Sequence, residues 1–258
     1  MNKKSPIIDK TLRHYGQSLD ERIDALINEK AVSYLIVTAI CFILAGLEWL
    51  RYYRESPPTP GTMTFFAVIV ACVSFYKVRK IFQEIRNLRQ GREGERAVGQ
   101  YLESFREQGC KVFHDIVGEG FNIDYVIISK KGIFLIETKT YSKPEGKKSV
   151  ICYDGHSLII DGYNNKRILN QVRAASNWLK NLIKETTGNE YSIRPVVVFP
   201  GWFIEPNKKA TTSEIWVLNP KALPAFIYNQ KTVFSGEEVG LISYHVSRYV
   251  RVKEAEPK

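Results

Sequence analysis

Two stretches dominate the hydrophobic pattern of the chain. "AVSYLIVTAICFILAGLEWL" fills Ala31 to Leu50 with a single charge, Glu48, near its end, and "TMTFFAVIVACVSFY" fills Thr62 to Tyr76 with none. A membrane-crossing helix needs about 20 mostly apolar residues, with a lower limit near 17. The first run meets that length. The second meets it when Gly61 and the stretch Lys77-Val78 extend it. The pattern therefore predicts two transmembrane helices, about 31–50 and 61–78, joined by the short link "RYYRESPPTPG". Two helices buried in the core of a soluble protein would give the same runs. A signal peptide fits poorly, because thirty residues carrying eleven charges precede the first run and a second run follows.

Beyond about Arg92 the period changes to an α/β alternation. "GERAVGQYLESFREQG" places Val98, Leu102 and Phe105 at helical spacing, with Gly109 as a stop. A strand is predicted near 111–117, then a hairpin, "FNIDYVIISKKGIFLIETKT", with arms 121–129 and 132–140. A second hairpin follows in "SVICYDGHSLIIDG", turning at Asp154-Gly155, and then a long amphipathic helix near 165–186. "RPVVVFPG" reads as a central strand buried on both faces, "SEIWVLNP" as another strand, and helices near 220–229 and 235–250 close the fold. The expectation is an α/β domain over 92–252, a mixed central sheet flanked by helices. Residues 1–30 form an N-terminal segment, 79–91 a basic juxtamembrane helix or linker, and 253–258 a charged tail.

Charge adds a direction to this picture. Six Lys/Arg lie in residues 1–30 and six in 77–92, against Arg51 and Arg54 in the link. The positive-inside rule then places both termini and the α/β domain in the cytoplasm. Of the formal charge of +10, residues 79–258 carry +8. Such an excess favours an anionic partner, nucleic acid or a membrane surface, and the cluster from Lys77 to Arg92 would already be drawn to lipid headgroups. The four cysteines are widely spaced without a CxxC pair, which suggests reduced thiols rather than a zinc cage or disulfides.

The first hairpin carries the chemistry. Side chains alternate faces along a strand, so Glu137 and Lys139 point the same way. A two-residue turn at Lys130-Lys131 or Lys131-Gly132 sets Asp124 opposite Glu137 or Lys139, on their face in either register. Two carboxylates and an ammonium on one patch suit a hard divalent cation, Mg²⁺ or Mn²⁺, with Lys139 beside it to hold or deprotonate the attacking water, or to neutralise charge on a phosphate. A plain Asp124–Lys139 ion pair is the simpler alternative, but it gives no reason for the second acid. Glu95 falls on the stripe of Val98, Leu102 and Phe105 at the start of its helix. There it either serves the same site or offsets the helix dipole. Gln171 shares a face with Ile168, Ala175 and Trp178, as a site residue or as a satisfied core amide. Lys143, Lys147 and Lys148 follow the strand in a Gly/Pro loop where phosphate contacts are plausible and solvation is the default. His114 and His156 have no partner at ligand spacing and read as structural.

These residues resemble the PD-(D/E)XK nuclease superfamily, whose signature here is D-x12-E-x-K across a hairpin. The fuller set resembles the nuclease-related domain (NERD) family: "GREGE" opening a helix, "NID" on one strand, "GIFLIETKT" on the next and "NQ" opening a long helix, over about residues 90–200. The resemblance implies a restriction-endonuclease-like fold, metal binding by Asp124 and Glu137, and catalysis by Lys139, with Glu95 and Gln171 at accessory positions. The expected activity is membrane-anchored, metal-dependent hydrolysis of phosphodiester bonds in DNA or RNA, DNA ahead of RNA. The alternative is a non-cleaving, membrane-tethered nucleic-acid-binding module on the same scaffold.

Overall fold

The structure is a computed structural model and describes residues 14–54, 60–143, 149–160, 162–207, 210 and 212–255. It divides into two compact units, Ser18–Gln90 and Gly91–Lys258, the latter joined by residues up to Gln17.

In the first unit, helix α1 (Gln17–Ala25) passes through a wider, π-helical turn (Leu26–Ala31) into α2 (Val32–Tyr53), and α3 (Pro60–Glu107) follows. A small core of Ile23, Leu26, Ala31, Ile81 and Ile85 joins the helices. Two polar ties add to it: Arg22 to Glu84 at 2.7 Å and Trp49 Nε1 to Thr64 Oγ1 at 3.0 Å. The apolar runs themselves point outward. Leu35, Ile36, Ile43, Phe65, Phe66 and Phe75 are each more than half exposed. Only 11% of either apolar window is buried, so these are not core helices of the kind that the runs alone allowed. Both helices are long and apolar enough to cross a membrane.

Helix α3 differs from expectation in one respect. It runs unbroken from Pro60 to Glu107, through the stretch expected to separate the apolar run from a new helix at about Arg92. The physical reason lies in "RKIFQEIRNLRQ", which consists of adequate helix formers without Pro. Gly91 and Gly94 cost only about 1 kcal/mol each inside a helix.

In the second unit, β1 (Lys111–Val117), β2 (Asn122–Ser129), β3 (Gly132–Thr138), β7 (Ile193–Val198) and β9 (Trp216–Leu218) form one sheet in the order β1-β2-β3-β7-β9. The first three strands are antiparallel; β3, β7 and β9 run parallel. The parallel crossover from β3 to β7 contains α4 (Arg167–Thr187) and most of a second, four-stranded sheet. This sheet has β4 (Val150–Tyr153), β5 (Leu158–Ile160), β6 (Tyr163–Asn165) and β8 (Phe203–Pro206) in the order β6-β5-β4-β8. The strands β6, Tyr-Asn-Asn, and β8, Phe-Ile-Glu-Pro, were not expected from the hydrophobic pattern. Helices α5 (Leu223–Tyr228) and α6 (Gly236–Ala255) end the fold.

Alternation sorts the core into two layers. Val126, Ile128, Ile133 and Leu135 face α4 and α6, packing on Val172, Leu179, Ile242 and Val246. Tyr125, Ile127, Phe134 and Ile136 face α3 and α5, packing on Val98, Leu102, Phe105 and Leu223. Val196, Val197 and Val198 are fully buried, as a strand covered on both sides requires. The result is an α/β fold with a mixed sheet between helices, as the alternation predicted.

Candidate functional site

The site forms at the ends of β2 and β3. Their register pairs Ser129 with Gly132 and Tyr125 with Ile136, so the turn is Lys130-Lys131 and Asp124 falls opposite Glu137. This is one of the two expected registers. Beyond Thr138 the strand continues its pairing through one more bond, the Lys139 amide to the Val198 carbonyl at 2.9 Å. Lys139 is therefore held in line with Glu137, on the face that packs toward α4.

Glu137 is 3% exposed and accepts twice on Oε1, from Lys139 Nζ at 2.5 Å and from Gln171 Nε2 at 2.8 Å. Gln171 is itself exposed rather than inward-facing, and it reaches the carboxylate from the rim of α4. Asp124 Oδ2 accepts from the Thr138 backbone amide at 2.6 Å, which pins the acid across the two strands. Burial, then the charges of Glu137 and Glu95, raise the Asp124 pKa well above the usual carboxylate range. The Thr138 amide and Lys139 oppose this without cancelling it. For Lys139, burial works against the charged form, but the charge and hydrogen bond of Glu137, with the charges of Asp124 and Tyr141, together outweigh it and the pKa is raised. Lys139 is an ammonium at neutral pH.

Glu95 comes from the opposite layer. It does not open a helix, because α3 is continuous through it, so a dipole at a helix start does not account for its carboxylate. Its approach to the strand end depends on Gly94. A Cβ at Gly94 would lie 1.8 Å from Thr140 Cγ2 and 3.3 Å from Thr140 Cβ, so the Thr140 side chain or the helix would have to shift to admit it. The Glu95 backbone carbonyl accepts a hydrogen bond from the Tyr125 hydroxyl.

Lys143 is exposed, with Nζ 2.9 Å from where a Cβ at Gly201 would sit. Lys147 and Lys148 lie outside the described residues. His114 is buried in β1 and held at a pKa of about 4 by burial, then by Arg106 and His14. It is a neutral structural histidine as expected.

Three nearby residues carried no signal in the hydrophobic pattern. Asp115 interrupts the β1–β2 ladder between the pairs His114–Tyr125 and Ile116–Ile123, which sets it across from Asp124. Its φ of 48° is unusual for a residue other than glycine, and Asn122 Nδ2 donates to it at 3.2 Å. Thr138, 8% exposed, supplies the amide that holds Asp124. Tyr125 reaches Glu95. Only Asp115 could have been suspected, as a charge within a strand.

Residues 90–200 match the family model of the nuclease-related domain. Over that span the chain is similar to the nuclease-related domain family. The matched span begins inside α3, just before Glu95, and ends just past β7, so it contains every residue of the cluster. No curated protein matches the chain significantly. A solved structure with some similarity is that of Pyrococcus furiosus SfsA in complex with Ca²⁺. It is 20% identical over 50% of this chain and 54% of its own, with a TM-score of 0.24. The chain thus spans about half of the SfsA chain, and the superposition is too loose to carry an argument. For the nuclease-related domain itself, the match and the mixed sheet agree with a restriction-endonuclease-like fold.

Among the described residues no group of three or more His, Cys, Asp or Glu is gathered tightly enough to serve as a ready metal cage. The donor set fits a divalent cation in another way. Asp124 and Glu137 are oxygen donors on one patch, and Asp124 carries repulsion from two other acids that one ammonium does not cancel.

Proposed function

We propose that this protein is a membrane-anchored nuclease that hydrolyses phosphodiester bonds, DNA ahead of RNA, with Mg²⁺ or Mn²⁺ held by Asp124 and Glu137. The observation that carries the reading is the acidity around Asp124, whose pKa burial, then the charges of Glu137 and Glu95, raise by more than the Thr138 amide and Lys139 lower it. A bound divalent cation would supply Lewis-acid stabilisation of charge on the phosphate.

The chain's own residues divide the remaining work. The Thr138 amide fixes Asp124, and Gln171 and Lys139 together orient Glu137. Because Lys139 is held protonated, its role is to donate a hydrogen bond and stabilise charge developing on the phosphate, not to take the proton from water. Lys143, Lys147 and Lys148, which follow the strand in sequence, would contact the phosphate backbone. The two apolar helices cross the bilayer. The sorting of positive residues supports cytoplasmic termini and a cytoplasmic nuclease-related domain.

One observation favours the second reading, a tethered binding module that does not cut. Glu137 Oε1 already has two donors, so the carboxylate is satisfied without a cation. Cleavage of single- and double-stranded DNA and RNA by the full-length protein in detergent, with Mg²⁺, Mn²⁺ or chelator, separates the two. Chelator-sensitive cutting that Asp124→Asn abolishes is the expected result. Salt-sensitive binding without any cutting would overturn the nuclease in favour of the module.

A further inference from the structure

We infer that Tyr15 and Gly16, outside the matched domain, complete the site by clamping the part of α3 that presents Glu95. The inference rests on the nuclease reading for its consequence but not for the clamp itself.

The segment groups with the nuclease-related unit, not with the apolar helices that follow it in sequence. Its contacts are close ones. A Cβ at Gly99 of α3 would lie 2.9 Å from Tyr15 Cδ1 and 3.0 Å from Cγ, so the tyrosine ring lies flush on bare helix backbone. Gly16 has φ +74°, a turn that glycine adopts without strain. A Cβ on it would sit 3.1 Å from Arg92 Cγ and 3.6 Å from Glu95 Oε2. The turn therefore passes directly over the Glu95 carboxylate.

A row of rings links this clamp to Asp124. Tyr15 meets His114 edge to face with centroids 5.8 Å apart, and His114 meets Tyr125 the same way at 5.3 Å. Tyr125 adjoins Asp124 in sequence and bonds through its hydroxyl to the Glu95 carbonyl. α3 is thus held at Gly99 by one end of the row and at Glu95 by the other. The neutral state of His114 suits this role, since a charged ring would have to be solvated. Glu95 lies roughly one helical turn from Gly99, so loosening the contact at Gly99 should let the carboxylate drift from Asp124. A misplacement of about 1 Å can cost 10²-fold in rate.

The test uses the full-length protein in detergent and four variants: Tyr15→Ala, Tyr15→Phe, Glu95→Gln and the double variant Tyr15→Ala/Glu95→Gln. The first readout is amide hydrogen exchange. Tyr15→Ala should speed exchange in α3 residues 92–99 while leaving β3 and β7 unchanged, and Tyr15→Phe, which keeps the ring, should behave as the parent. The second is metal-dependent cleavage. Tyr15→Ala should lose on the order of 10-fold or more, Glu95→Gln a similar factor, and the double variant no more than the worse single. Multiplying losses would mean that Tyr15 acts elsewhere and would overturn the inference. So would unchanged exchange at 92–99. If Tyr15→Ala unfolds, Tyr15→Leu carries the same two measurements. A parent that neither cleaves nor changes its melting with Mn²⁺ would remove the nuclease reading and leave the exchange result to decide the clamp.

Discussion

The two units break the same rule in opposite directions. The unit of residues 18–90 turns large apolar side chains outward, with Phe75 70% exposed, while the nuclease-related unit turns a carboxylate inward, with Glu137 3% exposed. Each inversion costs free energy if the chain is alone in water. Exposed apolar area forgoes roughly 25 cal/mol per Å², and a buried carboxylate forgoes its hydration. The difference lies in what would repay the cost. A bilayer repays the first without any specific contact, so the outward side chains need only be apolar. Lys139 and Gln171 repay part of the second at one point, and on the proposed reading a cation would add to them, so the inward residues must hold particular identities.

The largest effect should come from attacking the first inversion. Ile40→Asp together with Phe66→Lys places a charge in each apolar run, and each charge at a helix centre costs about 2.5–3.5 kcal/mol of membrane insertion. Membrane extraction and protease protection should show loss of anchoring. If the variant behaves as the parent and both are soluble, the exposed apolar faces cover a protein partner and the comparison fails.

The next attacks the second inversion. Lys139→Ala should reduce cleavage by a factor on the order of 10² or more. A folded but inactive variant sharpens the contrast. A variant that melts far below the parent, with no activity in either, would mean the ion pair to Glu137 is structural. Stranding a buried carboxylate costs about 3–5 kcal/mol.

How far each inversion could be read in the sequence follows from the same difference. The apolar runs were legible because bulk hydrophobicity needs no partner to be recognised. The Asp124–Glu137–Lys139 patch was legible because strand alternation and a two-residue turn fix which side chains share a face. The rest depended on distance in the chain. Glu95 was expected at a helix start, and nothing in its neighbours announced that α3 would run on through Gly91 and Gly94. Gln171 was expected on an inward face and instead reaches Glu137 from the rim. Tyr15 lies far from the domain in sequence, and no periodicity marks a residue that packs on a bare glycine. Strands β6 and β8 were missed because Tyr-Asn-Asn shows no apolar run and Phe-Ile-Glu-Pro ends in a proline, so neither announces a strand as the equally short β5 and β9 do.

A third measurement asks whether the buried charge is waiting for a cation. With metal at about 100 times its dissociation constant, the folded state gains about 2.7 kcal/mol by mass action. Melts of the parent should rise with Mg²⁺ or Mn²⁺, and those of Asp124→Asn should not. The apo Asp124→Asn protein should melt no lower than the apo parent, because it loses a repelled acid. An indifferent parent would leave the inward carboxylates to structure alone.

The smallest effect tests a buried polar group that asks for no ligand, which makes it the control for the comparison. His114 is folded neutral, with its pKa lowered from 6.5 to about 4 by burial, then Arg106 and His14. The unfolded chain binds a proton at this residue below about pH 6.5 and the folded chain does not until about pH 4. Stability from His114 is therefore present above pH 6.5 and declines as pH falls toward 4, by about 2 kcal/mol between pH 6.5 and 5. His114→Gln cannot take up the proton, so its stability should fall less over that interval, and the difference between the two slopes isolates the histidine from every carboxylate. Metal should leave that difference unchanged, because His114 lies in the layer facing α3 and not on the face of Glu137. Equal slopes for parent and variant would mean that the ring is solvated and that the row Tyr15–His114–Tyr125 is looser than its packing implies. A difference that vanishes on adding Mn²⁺ would mean that the histidine belongs to the site after all.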